Sequence, residues 1–196
     1  NARNAAADNW KDMEICMGIV RKLHQSGLTV DHFFDIRERI DFYERLCLQH
    51  GGIPFEDYEK VRGWMNELMD RLDQMDRPQC LCHIDANVDN FLMFEDGSAK
   101  LLDWEYAGMC DPIMDISMSA IYSYYDAEQT EKLLEIYLER KPSEEEYYSV
   151  FANAALGGFL WCLWAVYKAA LGEEFGEYTI IMYRYAKGYY KKLKAL

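Results

Sequence analysis

The sequence predicts a mainly α-helical domain that carries one small β-hairpin. Apolar residues recur at spacings of three and four over most of the chain, the mark of one-sided helices. Two short apolar runs, Phe91-Leu92-Met93-Phe94 and Ala99-Lys100-Leu101-Leu102, flank Glu95-Asp96-Gly97-Ser98, and Asp-Gly between such runs signals a hairpin. No internal repeat or low-complexity linker interrupts the 196 residues, so one domain is expected over 1–196.

The elements follow in order. Asp8 or Asn9 can cap a first helix whose stripe is Met13, Cys16, Met17, Val20 and Leu23, and Gly27 stops it. A second helix is expected over Ile36–Gln49, ended by Gly51-Gly52 and Pro54. A third runs from about Phe55 to Met75 with Tyr58, Val61, Trp64, Leu68 and Leu72 along one face. Then comes the hairpin, after which helices resume beyond Asp111-Pro112. Ser143 and Glu146 form a capping-box pattern ahead of a helix over Tyr147–Leu171. A last helix over Glu174–Lys194 ends in Lys187, Lys191, Lys192 and Lys194, where cations complement the helix dipole.

Composition narrows the function classes. The formal charge of −13 opposes nucleic acid or an anionic membrane surface as partner and suits a cationic small molecule. The longest apolar stretch, Ala152–Ala170, is interrupted by Asn153, Gly157-Gly158 and Lys168, so no membrane span is expected. The six cysteines lie mostly in apolar segments without the spacing of a disulfide framework, which predicts reduced thiols and a cytoplasmic protein. Cys80-Leu81-Cys82-His83 has the look of half a zinc site, but no second ligand pair follows it, and zinc is not expected.

The chemistry concentrates in His83-Ile84-Asp85-Ala86-Asn87-Val88-Asp89-Asn90, of the form H-x-D-x-x-x-x-N, followed thirteen positions later by Asp103. Phosphoryl transfer to a hydroxyl needs a proton acceptor and oxygen ligands for Mg²⁺, and little other covalent chemistry. Asp85 is the candidate base, and Asn90 and Asp103 are candidate ligands, since Mg²⁺ takes hard oxygen donors. The hairpin should fold Asn90 and Asp103 toward one another. His83 and Asp115 are expected to support the loop rather than move protons.

A second constellation is Trp161-Cys162-Leu163-Trp164 with Tyr167, spaced by three along one helix face. Aromatic rings around a cavity bind a quaternary ammonium by cation–π attraction, about 0.5–2 kcal/mol for each well-placed ring. Tyr122, Tyr124 and Tyr125 can complete such a cage or form a solvent-facing cluster. A plain core stripe is the alternative.

Taken together, His83-Ile84-Asp85 through Asn90, Leu102-Asp103-Trp104-Glu105-Tyr106-Ala107-Gly108, Asp115-Ile116 and the Trp161/Trp164 pair resemble the choline/ethanolamine kinase family, within the aminoglycoside-phosphotransferase group of protein-kinase-like folds. Bacterial choline kinases are the most similar in pattern. The resemblance runs from about Trp10 to Lys192. It implies an ATP- and Mg²⁺-dependent kinase acting on choline, with Asp85 as base and Asn90 and Asp103 on the metal. Glu105 would sit beside the metal or headgroup, and Tyr106, Trp161 and Trp164 would line the choline site. Eukaryotic members place a choline-facing glutamate where this chain has Tyr122. No glycine-rich phosphate loop and no strand-borne lysine precede the motif, so the resemblance covers a C-terminal lobe without its nucleotide lobe, which by itself should be nearly inactive. Two other readings stay open: a kinase for another amino alcohol or an aminoglycoside, and a non-catalytic module that binds a quaternary ammonium.

Overall fold

A computed structural model describes residues 2–195. The chain is 59% helical with a few short strands. It divides into two compact units: the first takes the chain up to Phe34 together with Arg77–Val150, and the second takes Asp35–Asp76 with the chain from Phe151 onward.

The first unit opens with β1 (Ala2–Asn4) and α1 (Trp10–His24). Asn9 caps α1 by accepting from the Lys11 N–H, and Met13, Cys16, Met17 and Val20 are buried. Asp12 is buried on the same helix and is held by Arg3 at 2.5 and 2.9 Å and by the Ala6 N–H at 3.0 Å. Further on lie β2 (Cys80–Cys82), β3 (Phe91–Phe94), β4 (Ala99–Leu101) and β5 (Gly108–Cys110). The β3–β4 hairpin forms with Phe91 opposite Leu101 and Met93 opposite Ala99. Gly97 takes the left-handed conformation at its tip.

Two pairings were not foreseeable from pattern. β1 adds to the other side of β3, making a three-stranded sheet in the order β1-β3-β4. β2 pairs with β5, Cys80 facing Cys110 and Cys82 facing Gly108. At Gly108 the segment around His32–Phe34 passes so close that a Cβ would lie 3.0 Å from the Phe34 backbone nitrogen. The helical region after Pro112 is split into α4 (Ile113–Tyr122) and α5 (Ala127–Leu138), the second begun by a capping box between Asp126 and Gln129.

The second unit holds α2 (Ile36–Gln49), α3 (Tyr58–Asp73) and α7 (Tyr178–Lys194). α2 has the expected bounds. α3 meets α7 through stacked rings, Trp64 on Tyr190 at 4.6 Å, and Phe55 just ahead of α3 stacks on Tyr183 at 3.9 Å. Lys187 and Lys194 of the terminal lysine cluster reach carboxylates, Asp57 and Glu67.

α6 (Glu144–Ala170) begins in the first unit and ends in the second, with Ser143 and Glu146 bonded reciprocally at its start. Its glycines and polar residues do not interrupt it. By length and composition α6 could cross a bilayer, with a window of mean hydropathy 1.6. This corrects the expectation that Asn153, Gly157-Gly158 and Lys168 leave no stretch long and apolar enough. The same window is 94% buried, as a core helix would be, and Asn153 is fully enclosed. Gly158 is where α7 comes closest, since a Cβ there would lie 2.7 Å from the Met182 carbonyl oxygen.

Candidate active site

The loop between β2 and β3 carries His83, Asp85 and Asn90. Its backbone is fixed from below by Asp115, fully buried on α4. Asp115 Oδ2 accepts the His83 N–H at 2.8 Å and Oδ1 accepts the Ile84 N–H at 2.6 Å. Ile84 has a φ of 71°, a left-handed conformation that a β-branched residue rarely adopts. Such a residue costs roughly 1–3 kcal/mol and persists only where its surroundings hold it. Two charge-assisted bonds to a buried carboxylate are of the size needed to hold it. The His83 ring also braces the loop, its Nε2 bonded to the Leu102 carbonyl at 2.8 Å and its edge against Trp104.

Past this bend, Asp85 is half-buried and its carboxylate is surrounded by donors. Asn87 Nδ2 donates to Oδ1 at 3.1 Å, Asn90 Nδ2 donates to Oδ2 at 2.9 Å, and the Tyr122 hydroxyl also donates to it. Burial nevertheless pushes the Asp85 carboxyl above the usual aspartate value, with these donors and the His83 charge pulling the other way.

The Asn90 amide has a fixed direction. A carboxylate only accepts, so the group facing Asp85 is the nitrogen, and the same nitrogen reaches the Asp85 carbonyl at 2.8 Å. Oδ1 is thereby turned away from Asp85 and offers an oxygen to a cation. Across the hairpin the Leu102 N–H donates to the Asn90 carbonyl at 2.9 Å, so the register sets Asp103 one residue beyond Asn90's backbone partner. Asp103 is exposed and its φ is 60°. One amide oxygen and one exposed carboxylate at adjoining ends of a hairpin suit Mg²⁺, which keeps waters and phosphate oxygens in its remaining positions. Glu105 is exposed and Tyr106 half-buried on the following turn, closed by the Ala107 N–H to the Trp104 carbonyl at 3.1 Å.

The aromatic candidates separate. Tyr122 bonds Asp85. Tyr125 instead stacks on Trp10 at 5.2 Å and is buried, so the structure does not group it with Tyr122. Tyr124 is 55% exposed. In the second unit, Trp161 is buried and Trp164 half-buried, edge to face at 6.0 Å. Phe175 adds a third ring 4.9 Å from Trp164. The Lys168 ammonium lies 5.8 Å from the Trp164 ring, so that face already meets a cation. Tyr167 turns to Tyr43 and His50.

Residues 11–151 match the phosphotransferase enzyme family. The chain belongs to this family. The LicA protein of Haemophilus influenzae is 25% identical over 167 residues, 81% of this chain and 61% of that protein. The chain spans about half to three fifths of the length of the curated relatives it matches. Choline kinase LicA from Streptococcus pneumoniae superposes with a TM-score of 0.85 at 29% identity, covering 98% of this chain and 68% of that one. A structure of LicA in complex with AMP matches equally well, covering 66% of its chain.

Within this phosphotransferase fold, two participants escaped the sequence reading. Asn87 sits inside the motif, and its place two residues before Asp89, whose N–H it accepts at 2.9 Å, is the local signal of a turn. His24 Nε2 lies 2.9 Å from Asp115 Oδ2, a contact across 91 residues that no pattern reports.

Proposed function

We propose that this chain is the catalytic, C-terminal lobe of an ATP- and Mg²⁺-dependent kinase that phosphorylates the hydroxyl of choline. The observation that carries the reading is Asp85 Oδ2 accepting from Asn90 Nδ2 at 2.9 Å, which orients a candidate base and turns the amide oxygen away from it, at the hairpin end where the Leu102 N–H meets the Asn90 carbonyl. In the reaction the alcohol oxygen attacks the γ-phosphorus, the bond to the β–γ bridging oxygen breaks, and ADP leaves. Asp85 orients the hydroxyl and takes its proton. When bound at Asn90 and Asp103, Mg²⁺ supplies positive charge against the phosphates of ATP. The substrate assignment is supported by the tryptophan pair, whose chemistry suits a trimethylammonium, and by the LicA relatives. Glu105 and Tyr106 are assigned to the same substrate on their place after Asp103.

The test is a coupled assay of ADP release, run on this chain joined to a nucleotide lobe, with choline, ethanolamine and kanamycin as acceptors. Choline-dependent turnover abolished by Asp85→Ala supports the reading. Turnover with ethanolamine or kanamycin alone would move the substrate class. Choline binding without turnover in a protein that also binds ATP and Mg²⁺ would favour the non-catalytic module.

A further inference from the structure

Beneath the loop that carries Asp85 lies a second set of donors. Cys80 and Cys82 alternate with Leu81 on β2, so both thiols project from one face of the strand, with sulfurs 3.7 Å apart. A ring nitrogen of His24, brought by the last turn of α1, completes the set. The three donor atoms all lie within 4.8 Å of one another.

Two thiolates sharing a tetrahedral zinc, each about 2.3 Å from it, stand about 3.8 Å apart. The observed spacing needs almost no adjustment, although it is also simple contact between two thiols. The imidazole is what turns the pair into a donor set. His24's side chain is only 3% exposed, and its ring is held on both sides. Nε2 lies 2.9 Å from Asp115 Oδ2 and Nδ1 lies 2.8 Å from the Tyr137 hydroxyl. A histidine whose far nitrogen donates to a buried carboxylate is how proteins aim a metal ligand. In the neutral ring that donation leaves the Nδ1 lone pair facing Tyr137, whose hydroxyl is displaceable.

We propose that His24, Cys80 and Cys82 form a binding site for a thiophilic, tetrahedral divalent cation of the Zn²⁺ class. Two sulfurs and an imidazole select such an ion and are poor ligands for Mg²⁺, which takes the oxygens of Asn90 and Asp103. Cys80 is half-exposed and gives the entry, while Cys82 is fully buried. The two thiols share one hydrogen bond across 3.7 Å, and either sulfur can donate it. Binding releases both thiol protons to solvent as two metal–sulfur bonds form, and water takes the fourth position on the Cys80 side. Because Asp115 orients His24 and also holds the His83 and Ile84 amides, occupancy bears on the loop of Asp85 through one shared carboxylate.

The experiment is a Co²⁺ titration of the reduced, chelator-stripped full chain. One equivalent should give a strong thiolate-to-cobalt charge-transfer band with tetrahedral d–d bands, both erased by Zn²⁺. Cys80→Ser and Cys82→Ser should each remove the charge-transfer band and weaken binding about 100-fold, with Cys162→Ser unchanged. Weak octahedral bands only, or a wild-type spectrum in both serine variants, overturns the proposal. If the variants do not fold, alkylation of Cys80 in the unaltered protein decides. One equivalent of Zn²⁺ should slow it about tenfold or more, and an unchanged rate overturns the site.

Discussion

Asn90 Nδ2 bridges two oxygens of one residue, the Asp85 carboxylate at 2.9 Å and the Asp85 carbonyl at 2.8 Å. The side chain proposed as metal ligand therefore also clamps the proposed base. With the nucleotide lobe joined, as in all the kinetic tests below, Asp85→Ala should lower turnover by about 10²–10⁴-fold with little change in melting temperature. Asn90→Ala should lower turnover and raise the Mg²⁺ concentration needed for half-maximal rate. A variant with normal Mg²⁺ dependence would remove Asn90 from the metal.

Tyr122 donates to the same carboxylate. Tyr122→Phe deletes one hydrogen bond to a charged group and should lower kcat about tenfold while leaving the KM for choline within about twofold. A change confined to KM would instead place the ring against the headgroup.

Asp115 is fully buried and accepts two loop amides and the His24 ring. Asp115→Asn keeps its shape but loses charge and turns an N–H₂ toward donors. It should destabilise the fold by about 3 kcal/mol in urea unfolding. Wild-type stability in this variant would show that the loop is held by other contacts.

The two tryptophans should behave differently. Trp161 is 4% exposed, so Trp161→Ala should cost about 3–5 kcal/mol through the cavity it leaves. Trp164 is half-buried, and Trp164→Ala should cost less stability while raising the KM for choline. Choline kinetics unmoved by Trp164→Ala would return the pair to a core role.

Acid stability offers a local check. The Glu146 carboxyl is held down to about 2 from an ordinary 4.5, chiefly by Arg140 and then by the Ser143 amide, against some desolvation. A depressed carboxylate stabilises the fold above its unfolded value, and that stability is lost as the pH falls from 4.5 toward about 2. Arg140 is largely exposed, so about 1 kcal/mol is expected. Glu146→Gln should flatten unfolding free energy against pH across this window, as followed by circular dichroism.

These elements differ in how far the sequence disclosed them. α2 was readable to the residue because an aspartate cap, a one-sided stripe and a glycine pair all act locally. The hairpin was readable for the same reason. β1 was not, since Ala2-Arg3-Asn4 has no alternation and becomes a strand only by pairing with β3. The gap between α4 and α5 had a signal in Asp126 and Gln129, but four residues without glycine or proline disguised it. In the site, Asp85, Asn87 and Asn90 are near neighbours and their spacing carries their geometry. The links from His24 to Asp115 and to the cysteine pair join remote segments, so the zinc-like half motif looked incomplete until its imidazole came from α1.

Strand β3 is flanked on both sides, by β1 and by β4. Its amide hydrogens are thus released to exchange only when one neighbour peels away, whereas the tip around Glu95–Ser98 can swap deuterium from small local fluctuations. Asn90 and Asp103 stand at the protected end of this ladder. The oxygen pair is therefore placed by the slow-exchanging end of the hairpin, and its spacing should survive motions that stir the tip.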